Sequence, residues 1–341
     1  MDRFLRKLLL PLLIVVSCSF SQKLPDEFLH SKIMTGIDLT MKQDYPAAKK
    51  TFWEVINKYS DHPAGYVYLA GVLQSEFSDY GRVFEEDLYD SLLTEGELRA
   101  EKLIARKETA DWGYYFLGTA KGFRGFTESE SGNLPGGFVQ SIKAANNLER
   151  CLELNPKFYA AMDILGSYYY WRSKLSWLPF VSDRREEGIQ LVVKSIENSD
   201  YDRILGKNNL MLIYTEENRY DDARAMAEMV LQEYPDNRNF LWGLMTIEEK
   251  TNNKEGLRST VERLLHSILS APVVNYYREA TCRVKLAKFA LEEKDYALAI
   301  DESSKVIALK KYTGMTAGDL KQNIRMAEKI SAKAKTKLAK N

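Results

Sequence analysis

The chain is short of the residues that most chemistry and most cross-linking need. Three cysteines and three histidines are spread over 341 residues, and His30, His62 and His266 each stand alone, so neither a His-carboxylate metal cluster nor a Ser-His-Asp arrangement is concentrated anywhere. Cys18, Cys151 and Cys282 are too few and too scattered for a disulfide framework, so the fold must hold by packing. There is no excess of either charge, with 48 basic against 48 acidic residues; no field draws the chain toward nucleic acid. No apolar run reaches the roughly 20 residues of a bilayer-spanning helix. "GFRG" and "PGG" lack the preceding strand and the lysine of a phosphate cradle. The acidic pairs Glu85-Glu86, Glu186-Glu187 and Glu292-Glu293 fall on or beside predicted helices, where neighbours point about 100° apart, and read as charged surface. Nothing in this inventory points to an enzyme, a cofactor or a resident metal.

What is present first is an amino-terminal segment of a different material. Arg3, Arg6 and Lys7 precede the apolar run Leu8 to Val16 and then "SCSFSQ", the pattern of a secretory signal over residues 1–21. Two cleavage routes stand open: after Ser21, as for ordinary signal peptidase, or before Cys18, since "VVSC" has the form of a bacterial lipobox whose cysteine is lipidated. Removal after Ser21 leaves 45 basic and 47 acidic residues. The expectation is an exported protein, periplasmic or associated with the outer membrane, touching a membrane only through such a lipid.

The body of the chain, 22–311, is periodic. "LMLIYTEENRYDDARAMAEMVLQEYPDN" places Leu210, Met211 and Tyr214 on one helix face, turns at Arg219-Tyr220, and places Ala223, Ala227, Val230 and Leu231 on a second before Pro235. Leu165, Gly166 and Tyr169 with Gly188, Val192 and Ile196 repeat the pattern, as do Leu117-Gly118 with Ala144, Leu148, Cys151 and Leu152. Apolar residues three and four apart make one stripe per helix, and small residues let paired helices approach. Cys151 falls in a core slot. Residues 63–108 fit the pattern least well. The segment 312–341 carries Leu320, Ile324, Ala327 and Ile330 and then turns Ala- and Lys-rich, as a closing helix and tail would.

These units resemble tetratricopeptide repeats (TPR), antiparallel helix pairs of about 34 residues. The resemblance implies an all-α, right-handed superhelical solenoid of about six units, with a concave face lined by the first helix of each pair. Its template places Trp112, Tyr115, Phe123, Asp163, Ser167, Tyr170, Trp171, Asn208 and Trp242 on that face, an aromatic groove with a few polar hooks, suited to a protein or peptide partner. The lysine, asparagine and arginine clamp for a C-terminal carboxylate is not matched there. A noncatalytic scaffold of the bacterial envelope is the leading expectation; a carbohydrate-binding or weakly hydrolytic protein using the same groove, with Asp163 as its acid, is the alternative.

Two adjacent units break the period. Gly118 to Ala144 and Gly166 to Gly188 span 26 and 22 residues where the template allows about 12, predicting loops inserted near 125–138 and 173–184. Over Trp112 to Ile196 the order of "LG", "YYW", "LPF" and "DRR" resembles exported bacterial repeat proteins and, more faintly, a mitochondrial outer-membrane repeat family. Trp177, Leu178 and Phe180 are expected to fold back into a gap between helices, with Asp183 capping the next helix. A partner-binding edge and a membrane contact are the other two readings of this loop.

Overall fold

A computed structural model describes residue 24 and residues 26–81, 85–314 and 318–340. Residues 1–21, expected from the sequence to be a secretory signal, lie outside the described residues, Cys18 among them. Among those described the chain is all helix in its regular structure: α1 Glu27–Met41, α2 Tyr45–Lys58, α3 Pro63–Tyr80, α4 Glu86–Ile104, α5 Ala110–Glu130, α6 Leu134–Leu154, α7 Tyr159–Ser173, α8 Arg185–Asn198, α9 Arg203–Glu216, α10 Tyr220–Glu233, α11 Arg238–Lys250, α12 Lys254–Ser270, α13 Tyr276–Glu292, α14 Tyr296–Ala308 and α15 Leu320–Leu338. Each packs against the next and odd-numbered helices also touch one another, giving a TPR-like array of seven antiparallel pairs closed by α15. The stretch 63–108, least regular in sequence, contributes the full pair α3 and α4.

Local chemistry sets the turns within pairs. Gln43, Asn218, Asn252 and Lys294 take left-handed φ of 53–65° at the centre of the turns before α2, α10, α12 and α14. Asp44, Asn253 and Asp295 then cap three of those helices by accepting a backbone N–H from the third residue onward, as N-cap side chains do. Within a pair, small residues also decide how closely the two helices approach. A Cβ added to Gly166 would lie 2.5 Å from the Gly188 carbonyl oxygen and 2.9 Å from Val192, so α7 and α8 meet backbone to backbone as the pattern predicts. Cys151 and Cys282 are fully buried and unpaired. Leu320, Ile324, Ala327 and Ile330 bury the inner face of α15.

The two insertions have different fates. The residues near 125–138 form no loop: α5 and α6 each run to 21 residues and meet at a three-residue turn with Gly132 at φ +89°. The extra length is absorbed as helix because Phe123 to Glu130 and Leu134 to Ala145 can continue hydrogen bonding in register, with Asn133 capping Gly136. The residues 174–184 do form an extended connection. It does not fold back: Trp177 is 76% and Phe180 100% exposed, with Leu178 exposed as well. Arg184, not Asp183, is the N-cap of α8. Asp183 instead accepts the Arg185 amide at 3.0 Å and pairs with its guanidinium.

The array closes on itself. Asn237 donates to the Met41 carbonyl at 2.8 Å, the Arg238 amide donates to Gln43 Oε1, and Tyr234 donates to Asp38. Arg238 holds Asp79 through two hydrogen bonds of 2.8 and 2.5 Å, and Asn275 donates to the Asp79 carbonyl. These contacts join residues 159 to 196 apart in sequence. Met41 packs on the core built from α7 to α13, while Ala271 and Val273 pack on the core built from α1 to α7. The first pairs and the fifth to seventh therefore enclose a common interior.

Candidate functional site

Inside this ring the odd-numbered helices α1, α3, α5, α7 and α9 face one another around a cavity of about 330 Å³. Val67, Ile164 and Ile204 give it aliphatic walls, and Tyr68, Tyr115, Phe116, Phe123 and Tyr201 aromatic ones. Leu205, on its rim, is exposed to solvent. Thr40, Gln74, Ser75, Thr119, Ser167 and Asn209 give it uncharged polar groups, and Asp202 is the one acidic residue of its lining. Asp202, just before α9, lines the cavity with 6% exposure and takes a hydrogen bond of 3.0 Å from the Tyr115 hydroxyl. Behind it Asp163 is fully buried and receives both of its hydrogen bonds from the Asn209 amide, at 2.9 and 3.1 Å.

Burial raises both acids. Asp202 is pushed up to about 7 by loss of solvent, against the opposing effect of the Tyr115 hydroxyl. Asp163 lies well above the usual carboxylate range because of burial and then the nearby Asp202 charge, with Asn209 opposing. Tyr68 and Tyr115 are raised by the same two causes. A low-dielectric site penalises every charged form, and like charges add to the penalty. Among the described residues no cluster of three metal-ligating side chains exists.

The nine residues predicted for a concave groove separate. Tyr115, Phe123 and Ser167 line the cavity. Trp112 lies behind it, edge-on to Phe158 at 4.7 Å and packed against Phe116 and Tyr201. Asp163 and Tyr170 are buried rather than presented, and Tyr170 donates to Glu217. Asn208 is half-buried, and its neighbour Asn209 reaches the cavity instead. Trp242 is half-buried near the closure, with the Arg278 guanidinium 5.1 Å over its ring. Trp171 remains 44% exposed, edge-on to Tyr170. Sequence reasoning missed Tyr68, Tyr201, Asp202 and Asn209, as well as Asp79 and Arg238. Asp202 sits in a connection between repeats, where the repeat pattern assigns no inward position.

A second feature lies at the edge where the α5–α6 turn and the α7–α8 connection fall, since alternating helices bring both to the same side. Leu134, Phe138 and Val139 are exposed at the start of α6, and Leu175, Trp177, Leu178 and Phe180 are exposed in the connection. The connection is ordered by its own hydrogen bonds: Leu178 N to Leu175 O, Val181 N to Leu178 O, and Arg184 N to Ser173 Oγ at 2.8 Å. Phe180 adopts φ +71°, a backbone region that bulky residues rarely occupy. No helix among the described residues is long and apolar enough to cross a membrane.

No protein-family model matches the chain and no curated protein matches it in sequence. Solved structures with a similar chain path include the C-terminal part of a TPR repeat-containing protein from Cytophaga hutchinsonii, 14% identical, with TM-score 0.44 over 86% of this chain and 98% of that one. A tetratricopeptide repeat protein from Parabacteroides merdae is 14% identical, with TM-score 0.38 over 89% and 100%. A thermophilic TPR protein from Thermus thermophilus is 17% identical, with TM-score 0.40 over 62% and 94%. The helix-pair architecture described above rests on this chain's own contacts.

Proposed function

We propose that the protein is a noncatalytic protein-binding module of the bacterial cell envelope, exported by its amino-terminal segment, and that its partner docks on the edge carrying Trp177 and Phe180. The observation that carries this reading is the exposure of Trp177 and Phe180 on a hydrogen-bonded connection. Leaving two large aromatics mostly or wholly exposed forgoes up to about 1.5–3 kcal/mol of burial for each, and exposed apolar clusters on ordered surface are the usual anchors of protein interfaces. The interior groove is a poorer protein site, because Tyr115, Asp163 and Tyr170 are already consumed by the fold. For the same reason Asp163 is not offered to a glycan substrate, and the carbohydrate reading gains no support.

Two experiments test this. A photo-crosslinker at position 177 in the full chain should capture one partner from envelope extracts, and Trp177→Ser/Phe180→Ser should abolish capture by a wild-type bait. Capture unaffected by the double substitution would remove the edge from the interface. For export, mass spectrometry of the mature protein distinguishes an N-terminus at Gln22 from a lipidated Cys18, and an intact Met1 terminus in the native cell would refute both routes.

A further inference from the structure

The interior cavity calls for an occupant of defined chemistry, separate from any protein partner at the outer edge. Asp202 faces it with a desolvated carboxyl that receives one donor, the Tyr115 hydroxyl at 3.0 Å. Among the described residues no lysine or arginine lines this cavity. Asp163 behind Asp202 brings no countercharge, and its own hydrogen bonds come from the neutral amide of Asn209. Ser167 Oγ, also at the wall, has no hydrogen-bond partner. Around these groups stand the rings of Tyr68, Tyr115, Phe116, Phe123 and Tyr201.

Each part selects against the other ligand classes. Aromatic faces carry partial negative charge and attract cations over their centres. A buried carboxylate without a countercharge is costly, and an opposite charge relieves that cost. An anion would meet Asp202 and the ring faces with repulsion. A neutral apolar molecule would fill the walls and leave the carboxyl with the Tyr115 hydroxyl but no countercharge. A small inorganic cation would leave the apolar walls uncovered. We propose that the cavity is a binding site for an organic ammonium ion with an apolar body, the cation seated against Asp202 among the aromatic rings and the body lying along Val67, Ile164 and Ile204. Leu205 stands at its entrance.

The groups that face Asp202 are Tyr68 from α3, Tyr115 from α5, Asp163 from α7 and the adjoining Tyr201, which is hydrogen-bonded to His30 of α1. Burial holds Asp202 near 7, and only its ionised form pairs with a cation. Affinity for an ammonium ligand should therefore rise about tenfold between roughly pH 6 and pH 8, as the carboxylate fraction rises.

The test is calorimetry of the full chain with three probes that share one body: phenethyltrimethylammonium, phenethyl alcohol and hydrocinnamate. The cation should bind at least about tenfold more tightly than the alcohol, the difference one cation–π and charge contact supplies, and hydrocinnamate should not bind. Asp202→Asn, which keeps an acceptor for Tyr115, should reduce the preference for the cation below about threefold and remove its pH dependence. Leu205→Trp, a change at an exposed position, should block cation and alcohol alike. Equal binding of cation and alcohol by the wild type would overturn the proposal, as would a preference that survives Asp202→Asn. Should Asp202→Asn fail to fold, Leu205→Trp decides: undiminished cation binding there places the site elsewhere and sinks the proposal.

Discussion

Replacing Asp79 by asparagine should open the ring at its polar seam. Asp79 is 1% exposed and anchors that seam, receiving Arg238 Nε at 2.8 Å, Arg238 Nη2 at 2.5 Å and the Tyr45 hydroxyl at 3.0 Å, with Arg278 Nη1 at 3.6 Å. Asparagine keeps the shape but leaves two guanidinium groups without their countercharge in a closed interface. Breaking a buried pair from one side costs about 3–5 kcal/mol. At the entropy of unfolding of a chain this long, the melting temperature should fall by about 4–7 °C. Removing Arg238 instead leaves Arg278 beside Asp79, so Arg238→Met should cost less, about 1–3 kcal/mol, and the double mutant should show coupling of at least ~1 kcal/mol. Because the pair is buried, added salt should change the cost little. Urea unfolding of the four proteins gives the cycle. Hydrogen exchange adds a local reading, since the Arg238 amide donates to Gln43 across the seam and should lose protection before the amides of α9 and α10. Asp79→Asn within about 0.5 kcal/mol of wild type, with that amide still protected, would show that the seam does not hold the ring.

Gly166→Leu should destabilise by about 1–3 kcal/mol or more through overpacking, because the Gly188 carbonyl leaves no space for a Cβ; an unchanged melting curve would contradict backbone contact between α7 and α8. Trp177→Ser/Phe180→Gly should leave stability within about 0.5 kcal/mol of wild type, since both rings are exposed and glycine relieves the positive φ at 180. A loss of several kcal/mol would mean these side chains are buried after all. The folded protein holds Asp202 near 7 and the unfolded chain near its ordinary value of about 3.9, so the folded state binds the extra proton between those values. That contribution to stability is fully present below about pH 4 and is lost as pH rises through about 7. Asp202→Asn should flatten the slope of melting temperature against pH in that window, and an equally steep slope in the variant would assign it to other groups.

The sequence by itself determined the helix pairs. A stripe of apolar residues three and four apart, with small residues at the crossings, is a local property, and it placed Leu210, Tyr214, Ala223, Ala227, Gly166, Gly188 and Cys151 in the slots they occupy. It also located both departures from the period. It could not decide how those departures fold, because extra residues that extend two helices and extra residues that project a loop have similar composition. Phe123 to Glu130 and Leu134 to Ala145 continued as helix on either side of a short turn, while Trp177 to Val181, interrupted by Pro179, could not. Tertiary structure alone decided the closure and what it encloses. The superhelix brings Asp79 to Arg238 and Asp38 to Tyr234 across 159 and 196 residues, a coincidence of curvature that no repeat template encodes. That closure turned an expected open groove into a lined cavity, buried Tyr115 and Asp163, and brought Asp202, from a connection outside the repeat pattern, to its wall. The template orders residues along each helix; the accumulated rotation between pairs determines which of them meet.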